Sequence, residues 1–223
     1  MYDCFKTAGP TETRIREISG FKSIELEDHI SLHLTQGPVF EVKVQAGKHL
    51  HINIITEIKD STLHIENRNR CNWVRNPKKK INVYITMPYL YSIRNNGVGT
   101  VYFDNEFVQD TMRTRISNSG DMHIKVNVGC LRTSVHGNGD LFAEGKAIEN
   151  YNYTNGTNFV HLENLVIQNY IFVETYSVGH CYINAPVNGP IEATMWRSGN
   201  IYYKGAPTAI NLTRNGKGDL IKE

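Results

Sequence analysis

The chain has 223 residues, 40% of them hydrophobic, and a formal net charge of +2 at pH 7. The length is enough for one large domain or two small ones, and the apolar content excludes an intrinsically disordered chain. The small net charge does not indicate nucleic-acid binding, and no stretch of about 18 apolar residues predicts a membrane span. No signal-peptide pattern is visible, so we expect an export signal to have been cut away before Met1, while a lipid anchor upstream stays open.

Residues 1–90 predict short strands, because apolar and polar residues alternate in them. The segments are Ile24–Leu26, Ile30–Leu34, Phe40–Val44, Leu50–Ile54, Leu63–Ile65 and Ile81–Ile85. No segment has a helical period. We therefore expect a less regular N-terminal section that caps the first coil of a repeat region, with Met87-Pro88 as the hinge point between them.

From residue 91 to residue 223, the chain repeats a glycine-centred turn followed by a short strand. The turns begin at Gly99, Gly120, Gly139, Thr157, Gly179, Gly199 and Gly218, at intervals of 18 to 22 residues. A period near 20 residues predicts a solenoid in which each repeat is one coil. We therefore predict one all-β domain over residues 1–223, a right-handed parallel β-helix, since parallel crossovers strongly prefer this hand.

Alternation within each repeat predicts which side chains face the interior. The predicted inward column is Val101, Met122, Leu141, Phe159, Cys181, Ile201 and Leu220. The next, outward column is Tyr102, His123, Phe142, Val160, Tyr182, Tyr202 and Ile221. We expect glycine at the turn because it tolerates positive φ and lets adjacent coils approach each other.

The rings of the outward column predict a continuous aromatic strip. Its members are Tyr102, His123, Phe142, Tyr182 and Tyr202, on coils about 4.8 Å apart. Three roles are open for this strip. In the first, a loop or the N-terminal section covers the strip. In the second, the strip is buried in a homo-oligomer interface, and in the third it contacts the sugar rings of a glycan.

The residue after the turn position is mostly Asp or Asn. The column contains Asp121, Asp140, Asn158, Asn200 and Asp219. Such side chains bond to their own backbone in tight turns, which explains them structurally. Calcium is the weaker reading, because each turn offers at most one carboxylate.

The same column bears on an enzymatic alternative, a polysaccharide hydrolase or lyase on a β-helix scaffold. A glycosidase needs two carboxylates that converge in a cleft, and Asp121 and Asp140 would lie one coil apart. A lyase would also need a basic residue, for which Arg115, Lys125 and Arg132 are near in sequence. No Gly-x-Ser-x-Gly, Walker or His-Glu-x-x-His motif is present, so we name no catalytic residue.

A basic stretch without an intervening acid precedes the repeats. Its residues are Arg68, Arg70, Arg75, Lys78, Lys79 and Lys80, with Trp73 inside it. This patch predicts either a solvated loop or a contact with acidic glycans, lipopolysaccharide phosphates or anionic lipid headgroups.

Histidines and cysteines do not predict a metal or cofactor site. His49 and His51 share a face of a predicted strand, but two ligands are too few to define a site. Cys181 lies in the inward column and is expected to be a buried free thiol. Cys4 and Cys71 lie outside the regular repeats, where they could form a disulfide, and Cys4 could instead carry a lipid.

Several short motifs, in their order along the chain, resemble one family. They are Asp3-Cys4-Phe5-Lys6, Phe21-Lys22-Ser23-Ile24, Leu34-Thr35-Gln36-Gly37, Cys71-Asn72-Trp73 with Arg75, and the later Gly-x-Gly and Ser-Gly-Asp turns. The sequence is similar to the putative auto-transporter adhesins of the head GIN domain family, found among exported and lipid-anchored proteins of Bacteroidetes-type bacteria. The resemblance implies a right-handed parallel β-helix, an envelope location and no enzymatic activity. We therefore expect a non-catalytic cell-envelope protein, an adhesin or a glycan-binding or structural module.

Overall fold

Stacked parallel strands make up most of the computed structural model, which describes residues 7–69 and 80–223. Strands account for 63% of the described residues and form a β-solenoid of about 7 turns. Within the described ranges there is no α-helix, and the short 3-10 helix His51–Asn53 interrupts the strands. The predicted all-β parallel solenoid is confirmed.

The strand bounds follow the alternating pattern of the sequence. The N-terminal strands are β1 (Thr11–Arg16), β2 (Ser23–Leu26), β3 (Ile30–Gln36), β4 (Glu41–Gly47), β5 (Ile54–Lys59), β6 (Thr62–Asn67) and β7 (Ile81–Met87). The middle strands are β8 (Ser92–Asn95), β9 (Val101–Phe103), β10 (Phe107–Ile116), β11 (Met122–Gly137), β12 (Leu141–Gly156) and β13 (Val160–Ser177). The last strands are β14 (Cys181–Asn184), β15 (Ile191–Met195), β16 (Ile201–Lys204), β17 (Ile210–Arg214) and β18 (Leu220–Lys222).

Two sheet faces are defined by the strand pairings. Face A has the order β1–β4–β7–β3–β9–β11–β12–β13–β14–β16–β18. Face B has the order β5–β6–β2–β8–β10–β11–β12–β13–β15–β17. Strands β11, β12 and β13 belong to both faces, because each continues around a corner of the coil. Equivalent residues of successive coils therefore lie side by side, about 4.8 Å apart.

The N-terminal section is less regular than the repeats, as predicted. Strands β2 and β3 lie between the coil of β6 and β7 and the coil of β8 and β9, so spatial order differs from chain order. Antiparallel pairs β1–β4, β4–β7 and β5–β6 cover the first coil. The predicted strand over 50–54 is wrong, because the chain crosses there from face A to face B and forms the 3-10 helix.

The interior is a continuous apolar column with one shift from the predicted register. The members Val101, Met122, Leu141, Cys181 and Ile201 are buried, and Leu220 is partly buried in the last coil. The prediction is wrong at Phe159, because Val160 pairs with Leu141 and with Cys181. Phe159 is exposed instead. The turn position of this coil is occupied by Asn158, whose buried amide donates to the carbonyl oxygens of Asn155 and Gly137.

Close approach of the coils explains the turn glycines. A Cβ at Gly120, Gly139, Gly199 or Gly218 would lie well inside van der Waals contact with the carbonyl oxygen of the equivalent residue one coil earlier. None of these glycines has a positive φ. Of the two reasons expected from sequence, close approach is therefore correct and positive φ is not.

Replacing one of these glycines tests the stacking directly. We expect Gly199→Ala to lower the free energy of unfolding by about 1–3 kcal/mol or more, because its Cβ would overlap the carbonyl oxygen of Gly179. Chemical denaturation measures the change. Ser198→Ala, at an exposed position in the same turn, is the matched control. Equal stability of the Gly199→Ala variant and the wild type would contradict this reading of the turn.

Candidate functional site

The predicted aromatic strip is part of a longer stack of rings on face A. From the N-terminal end it contains Tyr84, His33, Tyr102, His123, Phe142, His161, Tyr182 and Tyr202. Neighbouring ring centroids are 4.6 Å apart for His123 and Phe142 and 5.2 Å apart for Tyr182 and Tyr202. The interplanar angle is only 3° for Phe142 and His161. We call these eight residues the ring ladder.

Stacking decides which part of each ring is available to a ligand. Within the ring ladder, each inner ring has a neighbouring ring on both faces, so it presents its edge to solvent. At the ends, the neighbouring strands place Lys43 beside Tyr84 and Ile221 beside Tyr202. Tyr102 is the most exposed ring, at 37%, and burial lowers the pKa of His123 despite the nearby charge of Asp121. The arrangement is suited to packing, since ring faces are what a sugar would stack against.

Sequence reasoning missed three rings of the ladder. The sequence prediction had placed Val160 in the outward column. In the structure the register at Asn158 turns Val160 inward and places His161 beside Phe142. His33 and Tyr84 join the stack because β3 and β7 lie beside β9, although they come from the irregular section. The outward alternation of β3 and β7 was visible in sequence, but their order along the axis was not.

The Asp and Asn side chains of the turn column bond to the next coil. The Oδ1 atom of Asp121 accepts from the backbone N–H of Asp140 at 2.9 Å, and Oδ1 of Asp140 accepts from Phe159 N–H at 2.7 Å. Oδ1 of Asn200 likewise accepts from Asp219 N–H at 3.0 Å. The predicted structural role holds, but the partner is mainly a neighbouring turn rather than the residue's own turn. Across residues 7–69 and 80–223, no group of three or more His, Cys, Asp or Glu side chains could hold a metal ion.

The residues considered for catalysis do not converge. Asp121 and Asp140 are both engaged by backbone N–H groups at the turns. Lys125 lies on the first half of β11 and pairs with Glu144 at 3.1 Å. Arg115 and Arg132 lie on face B. The structure therefore does not bring these five residues together as the acid–base set that a lyase or hydrolase needs.

The basic patch is described only at its two ends. Arg68 pairs with Glu66 at 2.8 Å, so its charge is compensated, and Lys80 is exposed. Arg70, Arg75, Lys78 and Lys79 lie outside the described residues, as do Trp73, Cys4 and Cys71. The role of the patch stays a prediction.

The two histidines considered as metal ligands contact backbone carbonyl oxygens instead, and Cys181 is buried in the interior. His49 Nδ1 lies 2.9 Å from the Thr7 carbonyl oxygen, and His51 Nε2 lies 3.2 Å from that of Glu12. Cys181 is a buried free thiol, as predicted, and burial raises its pKa to about 12. Such a thiol is unreactive, because the thiolate is the nucleophilic form.

Face B carries a second aromatic array that sequence reasoning did not find. It consists of His136, Tyr153, Tyr176 and Trp196 on four successive coils. The last pair, Tyr176 and Trp196, is stacked at 5.2 Å and 9°. The Trp196 Nε1–H donates to Oε1 of Glu174 at 3.1 Å, which fixes the indole plane. The four residues are separated by unequal intervals, and Tyr153 lies two residues out of register with His136 and Tyr176, so the array becomes visible only when the coils are stacked.

The ring ladder should contribute measurably to stability. We expect Phe142→Ala to lower the free energy of unfolding by about 1–3 kcal/mol, from two lost ring pairs at roughly 0.5–1.5 kcal/mol each. Phe142→Tyr keeps the ring and should cost much less. Phe159→Ala, which removes an exposed ring with one edge contact, is the matched control. Equal losses in Phe142→Ala and Phe159→Ala would show that stacking contributes nothing measurable.

Substitutions in the turn column distinguish a structural role of its carboxylates from calcium binding. We expect Asp140→Ala to cost about 0.5–1.5 kcal/mol, because Phe159 N–H loses its acceptor, whereas Asp140→Asn keeps a carbonyl oxygen there. Thermal unfolding with and without millimolar calcium measures both effects. A calcium-dependent rise in Tm of the wild type that Asp140→Asn abolishes would instead identify a calcium site.

No helix within the described ranges is long and apolar enough to cross a membrane.

Solved structures share the fold of this chain. A Bacteroides fragilis structure described as a putative adhesin is 25% identical, with a TM-score of 0.88 over 96% of this chain and 97% of that chain. A Parabacteroides distasonis putative adhesin is 17% identical, with a TM-score of 0.72 over 96% and 98% of the two chains. A putative lipid binding protein of the same organism is 16% identical, with a TM-score of 0.72 over 96% and 97%.

At these identities, the two Parabacteroides structures show the common fold alone. Among curated proteins, no sequence matches the chain. The family model described as "Putative auto-transporter adhesin, head GIN domain" matches residues 20–207, which is most of the chain. The expected family is therefore confirmed, and this chain belongs to the head GIN domain family of putative auto-transporter adhesins.

Proposed function

We propose that this protein is a non-catalytic, exported module of a bacterial cell envelope that adheres to glycans through the aromatic array of face B. Membership in an adhesin-type family supports the adhesive and surface-exposed part of the proposal. The observation that carries the glycan part is Trp196, an indole held by Tyr176 and Glu174, whose second ring face is covered by no ring of the described residues.

Trp196 has the features of a sugar-stacking platform. One face of its indole stacks on Tyr176, and 40% of the residue is exposed. The next coil places the exposed Asn215 after the end of β17, and no ring of the described residues contacts the second indole face. Sugars have apolar C–H faces and hydroxyl edges, so an oriented indole beside Glu174 and Asn215 offers both kinds of contact. Aromatic side chains with few rotatable bonds supply such contact area at low entropic cost.

The ring ladder offers a different kind of surface. Its ring edges form a continuous half-buried stripe along face A, which would pack well against a second copy of the chain. We propose a homo-oligomer interface as the role of the exposed edges of Tyr102, Tyr182 and Tyr202. This role is independent of glycan binding at Trp196, because the two surfaces lie on different faces.

A glycan array tests the proposal when it is run on the wild type and matched variants. We expect Trp196→Ala to lose sugar binding by at least 10-fold, since stacked aromatic residues dominate such contacts, while Trp196→Phe retains part of it. The double variant Tyr182→Ser/Tyr202→Ser should keep sugar binding and, if the ladder edges form an interface, convert an oligomer to a monomer. Molecular mass in solution and circular dichroism of each variant accompany the array.

Two outcomes would overturn the proposal. Sugar binding that survives Trp196→Ala but disappears in Tyr182→Ser/Tyr202→Ser would show that the sugar binds at the ring ladder instead. A wild-type chain that binds no glycan on the array would leave a structural scaffold as the function.

A further inference from the structure

Four arginines converge on face B, next to the aromatic array. Arg94 lies on β8, Arg113 and Arg115 on β10, and Arg132 on β11, which are three successive coils. They line an open groove of about 350 Å³ together with Tyr91, Ser92 and Ser134. All four arginines are exposed. We call this set the arginine groove.

The groove contains like charges in directly opposed positions. Arg113 pairs in register with Arg132, and Arg115 pairs in register with Arg94. Like charges opposite each other on neighbouring strands destabilise a sheet. Arg94 is compensated by Glu25 at 3.0 Å. For Arg113, Arg115 and Arg132, no carboxylate among the described residues lies within salt-bridge distance.

Neighbouring side chains hold the guanidinium groups in place without neutralising them. Arg113 lies over the Tyr91 ring at 5.2 Å, and Arg132 lies over the Tyr151 ring at 4.9 Å. The Nε atom of Arg115 donates to Oγ of Ser117 at 3.1 Å. The groove therefore presents three positioned, uncompensated positive charges, which is the arrangement that recognises carboxylate or sulfate groups by paired hydrogen bonds.

The continuation of face B indicates the kind of polyanion. Beyond the arginine groove the face carries Tyr151, Tyr153 and Trp196, together with the carboxylates of Glu174 and Glu192. These carboxylates would repel a polymer that carries a negative charge on every unit, such as a nucleic acid. The groove itself is lined by hydroxyl and guanidinium groups and has no exposed aliphatic side chain to insert into a bilayer. A polysaccharide in which only some sugars are acidic fits both halves of the face.

We infer that the arginine groove binds the carboxylate or sulfate groups of an acidic polysaccharide, whose neutral sugars extend over the aromatic array toward Trp196. The coil of Arg115 and the coil of Trp196 are four strand spacings apart, or about 19 Å. The inference rests on the proposed glycan-binding function and specifies its ligand class. It assigns anion recognition to arginines that oppose each other in the free protein.

Binding of immobilised hyaluronan and of unsulfated chondroitin, in which acidic and neutral sugars alternate, tests the inference, with neutral dextran as reference. We expect Arg113→Gln/Arg132→Gln to weaken binding to both anionic polymers at least 10-fold, and raising salt from 50 to 300 mM to weaken wild-type binding steeply. Lys146→Gln/Lys217→Gln, with the same change in net charge at exposed positions elsewhere, should bind like the wild type. Thermal unfolding of both double variants accompanies the binding measurement and should show a cooperative transition in each, so that a loss of binding reflects the lost charges and not an unfolded chain.

Other results would overturn the inference. Equal weakening by the lysine control would indicate a non-specific charge effect. Binding of phosphatidylglycerol vesicles or duplex DNA as tightly as the polysaccharides, with the same arginine dependence, would assign the groove to a lipid or nucleic acid. Arginine-independent binding of the polymers that still requires Trp196 would remove the inference and leave the proposed function. Arginine-dependent binding that is insensitive to Trp196→Ala would overturn the proposed function and the extension of the ligand toward Trp196, and would leave only anion binding in the arginine groove.

Discussion

Parallel hydrogen bonding between successive coils is the constraint on which the rest of the molecule depends. It holds equivalent residues in register, about 4.8 Å apart, over most of the chain. Whatever side chain occurs at one position of a coil is therefore placed beside its counterparts in the coils before and after it. The close approach also explains why turn positions such as Gly139 and Gly199 have no room for a Cβ.

The same spacing has opposite energetic consequences for different side chains. Aromatic rings at this distance attract each other, so the ring ladder adds roughly 0.5–1.5 kcal/mol for each stacked pair. Turn carboxylates such as that of Asp121 accept a backbone N–H of the next coil and become part of the scaffold. Arginines at this distance repel each other, so the opposed Arg113 and Arg132 are unfavourable neighbours in the free protein. A feature that lowers the stability of the protein needs a functional explanation more than a feature that raises it.

Faces A and B consequently differ in what they offer to a partner. On face A, ring stacking occupies the ring faces and leaves edges, which suits packing against another protein surface. On face B, the second indole face of Trp196 has no ring of the described residues stacked on it, and three arginines of the arginine groove have no carboxylate partner among those residues. The two faces are rigidly connected through β11, β12 and β13, which continue from one to the other. A repeat protein of an adhesin-type family can in this way present two surfaces of different chemistry.

Much of the architecture follows from the sequence alone. The period near 20, the alternation within each repeat and the turn glycines determine an all-β solenoid, its inward column and five members of the ring ladder, because these features depend on local spacing. Only the tertiary structure decided the rest. The insertion of β2 and β3 between later strands adds His33 to the ladder, and the register at Asn158 adds His161. The arginine groove and the Trp196 array could not be predicted from the sequence, for the same physical reason. Their residues lie at unequal intervals along the chain, and only the hydrogen-bonded register between coils makes them neighbours.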